Sequence, residues 1–243
     1  MMNSSALPSP SACWIIVPAA GIGARMNADI PKQYLSLAGK TVLEWTLQRL
    51  HQVPDVKGIV VAIRDDDKHW PALELSRLYP TLTVVAGGDE RHLSVLNALN
   101  ALRLQADPDD WVLVHDAARP CIHLTDIAAL RHHLQSHAVG GILATPVSDT
   151  LKSVVESRCI ETTLDRSVLW QAQTPQQFRY GLLRDALLAA QQHNHLVTDE
   201  SSALERAGYQ PLIIEGRRDN LKITRPEDLA LAGWILQQQE TAQ

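Results

Sequence analysis

Residues 18–26 read Pro-Ala-Ala-Gly-Ile-Gly-Ala-Arg-Met, and residues 31–34 read Pro-Lys-Gln-Tyr, so two cations, Arg25 and Lys32, flank a stretch with almost no side chains. Backbone N–H groups reach an anion closely only where side chains are minimal, which Ala19, Ala20, Gly21 and Gly23 provide. A small-residue loop after an apolar run, with positive charge beside it, is chemistry for a phosphorylated ligand. Two better-known phosphate loops do not fit. The dinucleotide fingerprint needs a third small residue where this chain has Met26, and the Walker A pattern needs Gly-Lys-Ser/Thr, which does not follow Gly23. Gly-x-Gly alone is equally an ordinary strand-to-helix turn, and Arg25 and Lys32 alone are equally a solvated pair.

Four further stretches carry concentrated chemistry: Gly87-Gly-Asp-Glu-Arg91, His115-Asp-Ala-Ala-Arg-Pro120, Thr198-Asp-Glu-Ser-Ser-Ala-Leu-Glu205 and Asn220-Leu-Lys-Ile-Thr224. Each has a plainer reading as well. Asp89 has the type and position of a helix N-cap, Asp116 and Arg119 of a local ion pair, and Lys222 of a helix-flanking charge. His133 and His137 have helical i, i+4 spacing, but no adjacent Glu or third ligand accompanies them, so a polar helix face is the expectation rather than zinc. His115 is expected beneath the site.

These residues must be positioned by a scaffold, and 243 residues suffice for a substantial core. Hydrophobic content of 45% with 20% charged residues is that of a soluble globular protein. The net charge of −5 supplies no global attraction to nucleic acid or an anionic membrane, so an anionic ligand must be held by local clusters around Arg25, Lys32, Arg119 and Lys222. Cys13, Cys121 and Cys159 are odd in number and lack C-x-x-C spacing, which points to a reducing cytoplasm. Residues 1–12 are rich in Ser and Pro, lack the features of a signal peptide, and read as a disordered lead-in. Residues 239–243 read as a C-terminal tail.

Short β-rich runs at 13–17, 58–63, 83–86, 111–115 and 141–146 alternate with helical periodicity at 42–52, 68–78, 91–104 and 125–137. That rhythm implies an α/β fold: an open, doubly wound, mostly parallel sheet whose ligand lies at the strands' carboxyl ends. The loops there are the loaded ones. Thr41 with Glu44, and Thr224 with Glu227, have capping-box spacing. Residues 147–170 change to a polar, β-branched pattern that reads as a protruding hairpin arm, and exposed edges of that kind commonly find a partner chain. The alternation resumes with a helix near 180–192, a strand near 211–215 and a last helix from Pro226, giving one domain over 13–238.

Taken together and in this order, the six motifs resemble the 2-C-methyl-D-erythritol 4-phosphate cytidylyltransferases, from about Cys13 to the final helix. The resemblance implies a Rossmann-like nucleotidyltransferase fold and transfer of a cytidylyl group from CTP to a sugar-alcohol phosphate, releasing pyrophosphate in the non-mevalonate route to isoprenoid precursors. It assigns stabilisation of the transition state to Arg25 and Lys32, and placement of the attacking phosphate to Arg166 and Lys222. It puts the nucleotide against Ala19, Ala20, Gly21, Gly23, Gly88, Asp89, Ser94 and Ala117, and the acceptor against Asp116, Arg119, Thr150 and Thr198. It further implies Mg²⁺ held mainly by the nucleotide phosphates and a homodimer formed through the arm. Competing readings are a cytidylyltransferase for another polyol phosphate, such as ribitol 5-phosphate, and a non-catalytic nucleotide-binding module.

Overall fold

The computed structural model describes residues 12–21, 23, 26 and 30–241. The expected lead-in apart from Ala12, Arg25 and the last two residues lie outside the described residues. The strands are β1 (Cys13–Pro18), β2 (Ser36–Leu37), β3 (Lys40–Thr41), β4 (Val56–Ile63), β5 (Leu82–Ala86), β6 (Trp111–Val114), β7 (Gly140–Pro146), β8 (Lys152–Val154), β9 (Ile160–Thr163), β10 (Trp170–Arg179) and β11 (Leu212–Glu215). The helices are α1 (Val42–His51), α2 (Leu75–Leu78), α3 (Arg91–Ala101), α4 (Leu124–Leu134), α5 (Tyr180–Gln192), α6 (Glu200–Arg206) and α7 (Pro226–Thr241).

Seven strands form one sheet in the order β11, β7, β10, β6, β1, β4, β5. Strand β1 runs parallel to β4 and β6, β4 parallel to β5, and β7 parallel to β11, while β10 is antiparallel to both β6 and β7. Side chains alternate between faces along a strand, and β1 divides its own accordingly. Cys13, Ile15 and Val17 join Leu43, Leu47 and Leu50 of α1 and Ile127, Leu130 and Leu134 of α4 on one face. Trp14 and Ile16 join Val95 and Leu99 of α3 and Leu183 and Leu187 of α5 on the other. Burial on both faces is why β1, β4 and β6 read as near-continuous apolar runs. Helix α7 closes a third cluster, in which Ile235 and Leu236 meet Val42, Trp45, Met26 and Ile223.

The capping box opening α1 is present: Thr41 Oγ1 accepts from the Glu44 N–H at 3.2 Å and Glu44 Oε2 accepts from the Thr41 N–H at 2.6 Å. Before α7 the reciprocal acid is Asp228 instead of Glu227. With Pro226 as first helical residue, Asp228 is third, and its Oδ2 accepts from the N–H groups of Thr224 and Arg225 at 2.7 and 2.8 Å. The helix expected over 68–78 is broken into a 3₁₀ turn, Trp70–Leu73, and the single turn of α2. Asp67 Oδ1 takes the N–H groups of His69 and Trp70 before a helix can begin, and Glu74 sits in the left-handed region at φ 48° between the two pieces. Helix α3 ends at Ala101 and α4 at Leu134, so His137 lies beyond its helix; its Nδ1 accepts from the N–H groups of Val139 and Gly140 where the chain turns into β7.

The arm forms as a two-stranded antiparallel ribbon, Lys152 opposite Thr163 and Ser153 opposite Thr162. Its apolar side chains have little of this chain to cover them: Val154, Ile160 and Val168 are 57%, 63% and 73% exposed. Among the described residues no helix is long and apolar enough to cross a membrane.

Candidate active site

The carboxyl ends of β1, β5 and β6 converge on a cavity of about 170 Å³. Its wall joins Pro18 to Gly21, Lys32 and Gln33 with Gly88 to Arg91, Ser94, Asp116 to Ala118 and Lys222. Five stretches scattered over two hundred residues therefore form one surface. A second recess of about 480 Å³ continues past Ala20, Gly21, Gly88 and Asp89 to Arg64, Asp65 and Asp66.

The small-residue loop is held where it leaves β1. The Ala19 N–H donates to the Ala62 carbonyl at 2.7 Å, and buried Gln33 donates from Nε2 to the Ala19 carbonyl at 2.6 Å. Gly23 adopts φ +67°, and a Cβ there would lie 3.0 to 3.2 Å from the backbone and side chain of Lys32. Only glycine takes that conformation at so close an approach without strain. Lys32 Nζ donates to the Ile223 carbonyl at 2.9 Å, joining the loop to the segment that carries Lys222.

The Gly87 to Glu90 loop abuts this one. A Cβ on Gly87 would fall 2.4 Å from the Ala20 Cβ, so the loops touch only because the residue is glycine. Ser94, almost fully buried, accepts from the Gly88 N–H at 3.1 Å and has the Gly88 and Glu90 carbonyls at 3.3 and 3.2 Å. Its hydroxyl thus fixes the loop from within. Asp89 does not cap α3; the N-cap position belongs to Glu90, whose side chain makes no capping bond.

Asp116 is the electrostatic centre. Its Oδ1 accepts from Arg91 Nε at 2.8 Å, Lys222 Nζ lies 2.7 Å from Oδ2, and Arg119 Nε is 3.8 Å away. The local ion pair with Arg119 is thus the weakest of three. Burial by itself would raise this carboxyl, but Arg91, Lys222 and Arg119 overcome it and hold Asp116 well below the usual carboxylate range. Arg119 is buried, and its guanidinium donates to the backbone carbonyls of Asn220 at 2.7 Å and Ala172 at 3.5 Å. It anchors the Asn220 to Thr224 segment as well as facing Asp116. Beneath lies His115, fully buried, with Nε2 donating to the Arg119 carbonyl at 3.0 Å and Nδ1 accepting from the Thr174 hydroxyl at 3.1 Å. Burial pushes His115 down to about 4, so its ring is neutral at physiological pH.

Arg91 and Glu200 were not singled out from the sequence, yet both belong here. Arg91 Nη1 and Nη2 donate to the two oxygens of fully buried Glu200 at 2.6 and 3.0 Å. Burial, the larger influence on Glu200, raises its carboxyl, and the nearby Asp116 and Asp199 add to this against the pull of Arg91. For Arg91, burial is outweighed by its two carboxylates, which hold the guanidinium charged. Thr150, Arg166 and Thr198 do not line the cavity of this chain: Thr150 and Arg166 lie exposed on the arm, where Arg166 donates to the Ser148 carbonyl, and Thr198 is exposed ahead of α6.

The model of the 2-C-methyl-D-erythritol 4-phosphate cytidylyltransferase (IspD) family matches residues 13–238. The chain belongs to that family. A curated relative of that name from Aliivibrio fischeri (strain MJ11) is 51% identical over 232 residues, covering 96% of this chain and 97% of its own. One from Pseudomonas fluorescens (strain Pf0-1) is 51% identical over 95% of this chain and 97% of its own. The crystal structure of 2-C-methyl-D-erythritol 4-phosphate cytidylyltransferase from Francisella tularensis superposes with a TM-score of 0.80 at 40% identity, covering 93% of this chain and 100% of that one. As a member of the family, the enzyme is a nucleotidyltransferase that moves a cytidylyl group from CTP to 2-C-methyl-D-erythritol 4-phosphate in isoprenoid precursor biosynthesis.

Proposed function

We propose that cations from both ends of the domain carry the reaction by drawing two anions together. The acceptor's phosphate oxygen attacks the α-phosphorus of CTP; a new P–O bond forms as the bond to the β-phosphate oxygen breaks, and pyrophosphate leaves. No nucleophilic side chain and no general base is required, because the attacking oxygen is already ionised. What the protein must supply is positioning and stabilisation of charge on the equatorial oxygens. Arg25 and Lys32 take the triphosphate, cradled by Ala19, Ala20, Gly21 and Gly23. Lys222 and Arg166 take the acceptor phosphate, with Asp116, Arg119, Thr150 and Thr198 around the acceptor. Gly88 and Asp89 read the cytosine edge on a loop that Ser94 holds rigid, and Ala117 lies beside the nucleotide.

The observation that carries this reading is the convergence of Lys32 and Lys222 on one small-residue cavity, tied together through the Ile223 carbonyl. The divalent ion, which we take as Mg²⁺, is part of the substrate. Among the described residues no group of three or more His, Cys, Asp or Glu side chains is arranged to hold a metal, and Asp116 is already engaged by three cations, so the donor set suits an ion carried in by the triphosphate. On that triphosphate it neutralises charge.

We further propose one nucleotidyltransferase domain over 13–238, working as a homodimer whose arm, residues 147–170, delivers Thr150 and Arg166 to the partner's site. The exposed Val154, Ile160 and Val168 support this, since a ribbon this thin cannot bury them itself. Unpaired Cys13, Cys121 and Cys159 favour a cytoplasmic setting. Mixing inactive Lys32→Ala chains with inactive Arg166→Ala chains tests the shared site. With free exchange about half of the dimers are mixed, each with one intact site, so activity should return to roughly a quarter of wild type. No recovery despite demonstrated exchange would place Arg166 in its own chain's site or in none.

A further inference from the structure

Asp116 has more cation around it than one carboxylate needs. Arg91 approaches Oδ1 at 2.8 Å, Lys222 approaches Oδ2 at 2.7 Å and Arg119 stands at 3.8 Å. Lys222 lines the cavity, and an ammonium has three donors, of which the contact with Asp116 occupies one. Arg91 differs from the other two cations in being held by two carboxylates. Its Nε serves Asp116 while Nη1 and Nη2 form a two-bond fork with Glu200 at 2.6 and 3.0 Å.

Glu200 is a fixed anchor. It is fully buried at the first turn of α6, whose N-terminus is tied to β10 by Gln176: Nε2 donates to Asp199 Oδ2 at 2.8 Å, and Oε1 accepts from the Ser201 N–H at 3.0 Å. The peptide side of Asp116 is likewise fixed, its N–H donating to Thr174 Oγ1 at 3.0 Å. The side-chain torsions of Asp116 are left to its ion pairs, and of these the Arg91 contact at Oδ1 is the one whose cation is braced by a second, buried carboxylate.

We infer that Arg91, braced by Glu200, is a positioning residue for the acceptor side of the reaction, holding the Asp116 carboxylate so that Lys222 meets one oxygen and keeps its remaining donors toward the cavity. Without the brace, both oxygens of Asp116 are free to turn to Lys222 and Arg119, and the ammonium is drawn onto the carboxylate. The inference rests on the proposal above that Asp116 and Lys222 serve the acceptor. Arg91 is also the first residue of α3, directly after the base-reading loop, so one guanidinium couples the nucleotide loop, the acceptor carboxylate and α6.

A double-mutant cycle on the full-length enzyme separates positioning from mere support. Arg91→Lys keeps the charge and loses the fork; it should lower kcat/KM for methylerythritol phosphate by about tenfold or more, with KM for CTP changed by less than about threefold. In an Asp116→Asn background the same substitution should cost less than about twofold, because the carboxylate it positions is gone. An equal fold loss in both backgrounds, or a loss confined to KM for CTP, would overturn the inference. Asp116→Asn that leaves acceptor kinetics unchanged would instead overturn the acceptor role on which it rests. Should Arg91→Lys not fold, Glu200→Gln, which keeps shape and one accepting oxygen, enters the same cycle with the same criteria.

Discussion

Lys32 donates from Nζ to the main-chain carbonyl of Ile223 at 2.9 Å, so the cation of the phosphate loop is bonded to the residue following Lys222. The return segment is itself fixed: the Ile223 N–H donates to the Ala118 carbonyl at 2.8 Å, and buried Asn220 donates from Nδ2 to the Thr174 carbonyl at 2.8 Å. Residues 191 apart in the chain are thereby placed on either side of one cavity.

Lys32→Ala should lower kcat on the order of a hundredfold or more, as removal of a donor aimed at developing charge does. CTP binding should weaken much less. Steady-state kinetics against both substrates separate these effects; near-normal kcat with only a raised KM for CTP would show uniform binding and defeat the transition-state role.

Gly87→Ala should disable nucleotide binding through geometry alone. Its Cβ would enter within 2.4 Å of the Ala20 Cβ and 3.0 Å of the Ser94 hydroxyl, forcing the base loop and the phosphate loop apart. Titration calorimetry should show CTP affinity reduced by at least about tenfold, in line with the cost of overpacking a tight contact. Unchanged affinity would mean that the loops need not touch in the working enzyme.

Much of the scaffold was legible because burial on both faces leaves a plain trace. Strands β1, β4 and β6 are nearly all apolar, and the capping box at Thr41 and Glu44 marked the start of α1. Strand β10 was not legible. It lies in the middle of the sheet, yet carries Gln173, Gln176 and Gln177, buried amides of the kind that reads as loop; Gln176 is bonded to α6 and Gln173 to the Arg217 carbonyl. At the site, Lys32, Asp116 and Lys222 stood in motifs, and the structure brings them together. The pair of Arg91 and Glu200 could not be read, because its partners are 109 residues apart and each lies in a motif with a simpler explanation.

Neutral, buried His115 gives the fold an acid-sensitive term. Its ring binds protons at about pH 6.5 when unfolded and only near 4 when folded, so the unfolded chain takes up the proton first. Stability should therefore fall as pH drops from about 6.5 to 4, by up to about 3 kcal/mol from this residue. Glu200 acts oppositely above its unfolded value of 4.5, since its raised folded pKa favours the folded state as pH falls. Asp116 contributes outside this window: its stabilisation is present above its unfolded value of 3.8 and is lost only at lower pH. The clean comparison is urea denaturation of wild type and His115→Gln at pH 7 and pH 5. The variant should lose less stability between the two; an equal loss would show that His115 is not the group responsible.

The most direct measurement is pyrophosphate release from CTP by the wild-type enzyme, with 2-C-methyl-D-erythritol 4-phosphate or ribitol 5-phosphate as acceptor. The expected result is rapid, acceptor-dependent release with methylerythritol phosphate, the diphosphocytidyl product forming in equal amount, and little release with ribitol phosphate. Release without an acceptor, or faster turnover with ribitol phosphate, would contradict the assignment of this cavity to methylerythritol phosphate.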